Sequence, residues 1–192
     1  MRIKLLILAV ICLAAVQMQA QVAPSATRRV ALPFEVGAGY SSFDVDWGHG
    51  RMGGGTIWAN YRLTMLPSVL KNIGVEIEAR DISLGGNLTQ SSNFRQDTAG
   101  GGITYSWRRY RNFYPYGKFL VQLGSMDFKF PPVPTYTHDT RTVFTPGLGL
   151  EYRAYSRIWV RADYEYQFWP KLFRKNNVLD PQGFTAGLSF HF

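Results

Sequence analysis

The amino-acid sequence predicts an all-β protein, an eight-stranded antiparallel transmembrane β-barrel with up-and-down meander topology. Aromatic residues make up 15% of the 192 residues and occur beside 19 glycines, a composition that suits sheets better than helical bundles. Apolar and polar residues alternate with a period of two along almost the whole chain after residue 20. Longer and shorter connections separate the alternating segments, as outer loops and inner turns do in membrane barrels.

The amino-terminal segment predicts a secretory signal peptide. Two basic residues precede an uncharged run from Leu5 to Val16, which is shorter than the roughly 20 residues of a spanning helix. Ala20 supplies a small residue for cleavage. Cys12, the only cysteine, lies inside this segment, so we expect no disulfide and no thiolate chemistry in the exported protein. We therefore assign residues 1–20 to a cleaved signal peptide and residues 21–192 to the barrel.

Four segments of the first half alternate as half-buried strands do, with polar residues or glycine between the apolar ones. Their apolar residues are Phe34, Val36, Ala38 and Tyr40, then Ile57, Ala59 and Tyr61, then Val75, Ile77 and Ala79, then Ile103, Tyr105 and Trp107. The spacing predicts one apolar face on each of these four strands.

The second half repeats the pattern four times, most clearly between Ile158 and Phe168, where Arg161, Asp163 and Glu165 alternate with apolar residues. Its apolar residues are Phe119, Val121 and Leu123, then Phe144, Leu148, Leu150 and Tyr152, then Ile158, Val160, Ala162 and Tyr164, then Phe184, Ala186, Leu188, Phe190 and Phe192. A slip of one residue would expose three ionised groups to hydrocarbon, so we expect Arg161 to face inward and Val160 to face lipid.

The segments between the strands predict loops outside the membrane and tighter turns on the periplasmic side. The expected outer loops are residues 44–53, 83–95, 125–140 and 169–181, and the expected inner turns are residues 63–73, 108–113 and 154–157.

Alternation alone does not separate a membrane barrel from a soluble one, because both have one apolar face. Glycine-rich polar faces favour the narrow lumen of a small closed barrel. Aromatic residues also fall at the predicted periplasmic strand ends, where membrane barrels carry interfacial girdles. These residues are Phe34, Tyr61, Tyr105, Trp107, Tyr152, Phe190 and Phe192. A soluble periplasmic ligand-binding barrel is the alternative.

The signal peptide, the eight alternating segments and the ending from Phe184 to Phe192 resemble the eight-stranded outer-membrane barrels of the OmpA-type and OmpX-type superfamily. The resemblance covers residues 21–192. It implies that the terminal strand, with Phe184, Ala186, Leu188, Phe190 and Phe192, acts as an assembly signal read by the barrel-insertion machinery. Because nothing follows Phe192, the peptidoglycan-binding domain that follows the OmpA barrel is not expected here.

Charged residues on the predicted lumenal face form the most informative set, with six acids and four bases. They are Glu35, Glu76, Glu78, Arg80, Lys118, Glu151, Arg153, Arg161, Asp163 and Glu165. Unpaired charges are costly in a narrow, poorly hydrated space, so we expect these residues to pair and to plug the lumen. A gated, narrow ion pathway is the alternative.

The sequence predicts no catalytic, cofactor-binding or metal-binding residues. His49, His138 and His191 are far apart and carry no recognised catalytic or ligand motif. A lipid-modifying enzyme of the small-barrel type would need a histidine near a hydroxyl and an acid at one rim, and His138 with Asp139 and Thr140 is the nearest candidate. We expect no hydrolytic or acyl-transfer activity.

Basic residues account for the formal charge of +8, but their positions do not favour nucleic acid. Arg108, Arg109 and Arg111 fall in one predicted inner turn, where lipid phosphates are the nearer anions. Lys171, Arg174 and Lys175 fall in the last outer loop, where docking onto lipopolysaccharide is an alternative to simple solvation.

The sequence therefore predicts a monomeric outer-membrane barrel with a structural or surface-interaction role and at most a minor small-solute pore. The expected partners are outer-membrane lipid and lipopolysaccharide, together with periplasmic chaperones and the insertion machinery during assembly. No cofactor and no nucleic acid are expected.

Overall fold

Antiparallel strands that close into a barrel dominate the computed structural model, which describes residues 33–44, 50–63, 70, 72–84, 94–107, 110–128, 138–172 and 177–192. The predicted signal peptide lies outside these residues. No helix in the described ranges is long and apolar enough to cross a membrane.

The described chain contains ten strands. They are β1 (Phe34–Asp44), β2 (Arg51–Arg62), β3 (Ile73–Leu84), β4 (Phe94–Ser106), β5 (Phe113–Phe128), β6 (His138–Arg153), β7 (Ile158–Tyr166), β8 (Trp169–Leu172), β9 (Asn177–Leu179) and β10 (Gln182–His191). Eight of them form the barrel, and β8 and β9 form a separate two-stranded sheet.

Each barrel strand pairs with its sequence neighbour in the barrel, and β10 pairs with β1 to close the wall. The closing register aligns Glu35 with His191 and Gly39 with Gly187. The Phe192 N–H donates to the Phe34 carbonyl at 3.0 Å, which extends the seam to the last residue. Closure leaves no unpaired barrel edge, and the predicted eight-stranded meander is confirmed.

The barrel has two unlike ends. We call the end with Phe34 and Phe192 the terminal end, and the other the loop end. Connections at the loop end are residues 45–50, 85–93, 129–137 and 167–181, and those at the terminal end are residues 63–72, 107–112 and 154–157. At the terminal end, Tyr110 and Phe113 exchange two backbone hydrogen bonds around Arg111, whose φ of 54° suits a tight hairpin turn.

Strand lengths differ from the sequence prediction at the loop end. The β2 strand begins at Arg51, so the first outer connection is shorter than the inner turn at residues 63–72. The β5 and β6 strands also extend into the predicted loop at residues 125–140, and the predicted loop at residues 169–181 contains β8 and β9. The sequence prediction missed the β5 and β6 extensions because they carry polar residues outward and apolar residues inward. This is the reverse of the pattern that defined the predicted strands.

Faces alternate as predicted along the part of the wall nearer the terminal end. On β7, Ile158, Val160 and Tyr164 are exposed outward, whereas Arg161 and Asp163 are buried inside. The predicted girdle residues Phe34, Tyr61, Tyr105, Trp107, Tyr152 and Phe190 are also exposed on the outer surface. The orientation predicted from the period-two pattern is therefore confirmed.

Candidate functional site: the lumen and the outer collar

The middle of the lumen is filled by buried ion pairs that join opposite walls. Arg80 Nη2 lies 2.7 Å from Glu78 Oε1 and 2.6 Å from Glu165 Oε2. Lys118 Nζ lies 2.8 Å from Glu78 Oε2, 2.6 Å from Glu165 Oε1 and 3.4 Å from Asp163 Oδ2. Each cation thus meets at least two carboxylates, which is the arrangement that makes buried charge tolerable.

Arg161 holds the next layer toward the terminal end. Its two terminal nitrogens each lie 2.8 Å from a Glu76 oxygen, and its Nε donates to Asp163 at 3.0 Å. The guanidinium also lies between the rings of Trp58 and Tyr116, at 4.7 and 4.8 Å from their centroids. Bidentate pairing and two aromatic faces fix this side chain across the lumen.

The terminal end of the lumen holds a looser group. Glu35, on β1, faces His191, on β10, with its Oε2 at 3.4 Å from the histidine Nε2. Arg62 Nη2 lies 3.2 Å from Glu151 Oε2 and 3.8 Å from Glu35 Oε2. The His191 ring stacks on Trp159 with centroids 4.1 Å apart. Both carboxylates are buried, whereas the Arg62 side chain is one-third exposed.

The structure brings nine of the ten predicted lumenal charges into one chain of contacts, which we call the charge network: Glu35, Glu76, Glu78, Arg80, Lys118, Glu151, Arg161, Asp163 and Glu165. The tenth, Arg153, shares a face of β6 with Glu151 but lies exposed at the terminal end, outside this network of contacts. Sequence reasoning missed Arg62, although the inward spacing of Trp58 and Asn60 on β2 would have included it.

An apolar cap closes the lumen at the loop end, and the sequence analysis did not foresee it. Its members are Phe43, Met52, Ile82, Phe94, Met126, Val143, Trp169 and Leu179, all buried. Trp169, from β8, occupies the space above Gly124, where an added Cβ would lie 2.2 Å from the indole. The Arg80 guanidinium lies 4.4 Å from the Phe43 ring and marks the boundary between network and cap.

The outer surface of β3 to β6 carries a polar patch at the same height as the cap. We call Asp81, Arg95, Asp97, Ser125, Asp127, His138 and Thr140 the collar. Within it, Arg95 makes two bonds to the Asp81 carboxylate, at 3.0 and 2.7 Å. Polar residues stand outward here because the apolar side chains of the same strands fill the cap.

His138 lies at the centre of the collar. Its Nδ1 is 2.5 Å from Asp127 Oδ1 and 3.3 Å from Ser125 Oγ, and its Nε2 is 3.0 Å from Thr140 Oγ1. A hydroxyl, a histidine and an acid therefore meet at one rim, and the acid is Asp127 and not the Asp139 that the sequence suggested. Antiparallel pairing of Asp127 with His138 places them together, although the sequence separates them by a loop.

The predicted assembly signal lies on the closing strand β10. Phe184, Leu188 and Phe190 face outward, and Ala186 shares that face. The Phe192 ring packs 5.6 Å from Phe34 and 5.0 Å from Phe190 between ring centroids. The terminal aromatic residue is thus part of the girdle at the seam.

Several residues singled out from the sequence lie outside the described parts of the chain. They are His49, Arg108, Arg109, Arg174, Lys175 and the side chain of Lys171. The structure therefore does not test the phosphate and lipopolysaccharide hypotheses for these residues.

An apolar outer wall, an aromatic girdle and a polar, filled interior define an outer-membrane type of β-barrel. The chain belongs to the outer membrane protein beta-barrel domain family, whose profile it matches over residues 6–192. Membership places the protein in the bacterial outer membrane. The connections at the terminal end are on average the shorter ones, which indicates that this end faces the periplasm.

Solved structures with the same fold agree with this assignment. The neisserial surface protein A superposes with a TM-score of 0.61 at 15% identity, over 83% of this chain and 96% of that one. Ail, the attachment invasion locus protein of Yersinia pestis, superposes with a TM-score of 0.51 at 17% identity, over 83% of this chain and 96% of that one. The outer membrane protein OprG of Pseudomonas aeruginosa superposes with a TM-score of 0.52 at 12% identity, over 84% of this chain and 96% of that one. Comparison with curated protein sequences gives no match.

Proposed function

We propose that the protein is a closed outer-membrane barrel that works through its outer surface, in a structural or surface-interaction role, with at most a minor small-solute pore. The observation that carries this proposal is the double obstruction of the lumen. An ion entering from the periplasm meets buried ion pairs, and beyond them it meets the apolar cap.

The two obstructions differ in physical character, which makes the blockade effective. Passage through the charge network requires the breaking of buried pairs such as Arg80 with Glu165, and no water is at hand to compensate the weakened charges. Passage through the cap requires transfer of a hydrated ion into apolar surroundings. Eight strands enclose little more space than side chains fill.

The collar and the loop-end connections are then the parts available for interaction. Arg95, Asp81 and Asp127 present both charge signs on the outer wall above the lipid-facing band. Outer-membrane lipid and lipopolysaccharide are the partners that this position favours. Two barrels of the same fold carry names that refer to the cell surface and to attachment, a likeness of fold alone.

We also propose the assembly route that the sequence predicts. Residues 1–20 are removed as a signal peptide, and periplasmic chaperones carry the chain to the insertion machinery, which reads Phe184 to Phe192. The barrel then stays a monomer, because β1 and β10 already satisfy each other's edges.

Planar-bilayer recording tests the closed lumen. The folded parent protein should show no steady current on the nanosiemens scale. A variant that combines Arg161→Ala with Trp169→Ala removes one part of each obstruction and should conduct more than the parent, whereas the collar variant Arg95→Ala should match the parent. Large, steady currents through the parent would contradict the proposal.

A second candidate function is favoured by one observation, the contact of His138 with both Asp127 and Thr140. With Nδ1–H donated to Asp127, Nε2 can take the proton of the Thr140 hydroxyl as its oxygen attacks an ester carbonyl. The proton then passes to the departing alcohol, and water hydrolyses the acyl-threonine. The height of the collar favours an acyl ester of an outer-leaflet lipid.

Mass spectrometry of lipid A and phospholipids from expressing and deleted cells tests this candidate. Hydrolysis predicts loss of an acyl chain that requires His138 and Thr140, so His138→Ala and Thr140→Ala should both abolish it. Ser125→Ala is the matched control and should retain it, because Ser125 contacts the nitrogen that faces the acid. An unchanged acyl pattern on expression of the parent excludes the hydrolase and leaves the closed surface barrel.

A further inference from the structure

Three potential metal ligands converge at the periplasmic end of the lumen. Glu35 from β1, Glu151 from β6 and His191 from β10 each offer one ligand atom, and these atoms all lie within 4.8 Å of one another. Two of the three residues are buried, and the third, His191, is half-buried. The convergence joins three strands that are distant in sequence, with Glu35 and His191 directly opposed across the closing seam.

Glu35 lacks a close partner in spite of its burial. Its carboxylate lies 3.4 Å from His191 Nε2, 3.5 Å from Arg161 Nη1 and 3.8 Å from Arg62 Nη2, with no shorter ion pair among the described residues. Arg161 is already occupied by Glu76 through two bonds of 2.8 Å. A buried carboxylate without a short contact is a ligand-binding group that the protein's own cations do not satisfy.

The charge count inside the barrel points the same way. The charge network contains six carboxylates and three fully buried cations, Arg80, Lys118 and Arg161. Arg62 adds a fourth cation, but it is partly exposed at the rim. Arg153 adds a fifth cation at the same rim, where it is exposed. One carboxylate therefore remains in excess among the described lumenal residues, and the least well paired of the six, Glu35, lies in this cluster.

The geometry points to a binding site for a divalent transition-metal ion of the Zn²⁺ type, held by Glu35, Glu151 and His191. An imidazole with two carboxylates suits such an ion better than Mg²⁺ or Ca²⁺, which take oxygen ligands. Ligands on a tetrahedral ion with bonds of about 2.1 Å lie about 3.4 Å apart. The observed separation of His191 Nε2 from Glu35 Oε2 matches that value.

Arg62 is the competitor of the ion in this arrangement. In the structure its Nη2 lies 3.2 Å from Glu151 and 3.8 Å from Glu35, so it supplies positive charge to the same carboxylates. Its side chain is one-third exposed at the periplasmic mouth and has water to move into when an ion enters. Binding therefore exchanges a partly exposed guanidinium for a metal ion that ties β1, β6 and β10 together.

Metal titration of the untagged, folded barrel in detergent micelles tests the site, after treatment with a chelator. Equilibrium dialysis should find one Zn²⁺ per chain, and Co²⁺ in its place should give the visible absorption of a low-symmetry site. Heat-modifiability on gels verifies that each variant is folded. Mg²⁺ and Ca²⁺ should not compete.

Single substitutions then identify the ligands. His191→Ala and the nearly isosteric Glu151→Gln should each weaken Zn²⁺ binding by about 100-fold or more, since changes outside the ligand shell alone cost about 10–100-fold. Arg62→Gln should strengthen binding by about tenfold or more, because a like charge about 4 Å away is removed. The control His138→Ala removes the other described histidine and should leave binding unchanged.

Absence of saturable Zn²⁺ uptake by the folded parent would overturn the inference, as would uptake that survives both His191→Ala and Glu151→Gln. Uptake lost only in His138→Ala would move the site to the collar and would also overturn it. The site is independent of whether the lumen conducts.

Discussion

Strand β3 exchanges the polarity of its two faces within a few residues. Toward the periplasm Glu78 and Arg80 point inward and Ile77 points outward. Toward the loop end the polarity is reversed, with Ile82 inside and Asp81 outside. Strand β5 changes in the same way, with Gln122 inside the wall nearer the terminal end and Met126 inside the wall nearer the loop end. On the periplasmic side of this level, which we call the lower barrel, the wall has the pattern of a membrane barrel. On the side of the loop end, which we call the upper barrel, it has the pattern of a soluble barrel.

This inversion marks the level at which the lipid-facing part of the wall ends. Apolar side chains face whichever surroundings are not water, which is the bilayer in the lower part and the interior in the upper part. Charged residues therefore lie in the lumen of the lower barrel, as the charge network, and on the outer surface of the upper barrel, as the collar. A charge therefore has a different energetic weight in the two regions, because only the lumenal ones are cut off from water.

The largest expected effect comes from removal of a network cation. Arg161→Ala leaves Glu76 and Asp163 buried without their main partner and should lower the free energy of unfolding by about 3–5 kcal/mol. Arg95→Ala in the collar removes a pair that is about half exposed and should cost about 1 kcal/mol or less. Urea unfolding in detergent, followed by tryptophan fluorescence, measures both losses. Equal losses would contradict the conclusion that only the lumenal charges are cut off from water.

A smaller but still large effect is expected in the cap. Ile82→Ala leaves a cavity among buried apolar residues and should cost about 2–5 kcal/mol. Ile77→Ala on the same strand faces outward, where lipid can fill the vacated space, so its loss should be clearly smaller. The same unfolding experiment applies. If Ile77→Ala proved the more damaging variant, the cap would not be a packed core.

Glycine substitutions should also affect the lumen and the outer wall differently. Gly124→Ala places a Cβ against Trp169 and should destabilise by about 1–3 kcal/mol through overpacking. Gly55→Ala points its methyl group outward, with nothing within 4 Å, and should change stability by about 0.5 kcal/mol or less. Thermal unfolding distinguishes them, and tolerance of Gly124→Ala would show that Trp169 does not fill the lumen.

The smallest effect on stability is expected at the terminus. Deletion of Phe192 removes ring contacts with Phe34 and Phe190 at the periplasmic rim and should alter refolding in detergent little. Its yield in the outer membrane of cells should fall several-fold, because the resemblance implies that the insertion machinery reads this residue. Ser189→Ala, on the lumenal face, is the control. Equal yields for both variants and the parent would remove the assembly role.

Much of the lower barrel could be predicted from sequence, because one repeating rule, with charges inward, governs β3, β6 and β7 there. The same rule concealed the upper barrel. Since Arg95 and Asp127 point outward, a rule that assigned polar residues to the lumen placed their segments in loops. The pattern does not break in these extensions but inverts.

Contacts across the barrel could not be read from periodicity. The pairing of Arg80 with Glu165 and the meeting of Glu35, Glu151 and His191 depend on how far adjacent strands are shifted along the wall. That shift is set by the register of every strand pair. The alternation along one strand predicts which face a side chain occupies but not its register with the next strand. Trp169 in the cap was missed for a related reason, since it reaches the lumen from a connection and not from a barrel strand.

Site-directed spin labels along β3 test the polarity inversion most directly. Labels at positions 77, 79 and 81, all on the outward face, would be compared in bilayers for collision with oxygen, which partitions into lipid, and with a water-soluble nickel chelate. The polarity inversion predicts that the labels at 77 and 79 meet oxygen and that the label at 81 meets the chelate. Equal oxygen exposure at all three positions would mean that lipid covers the collar, and would contradict the inversion.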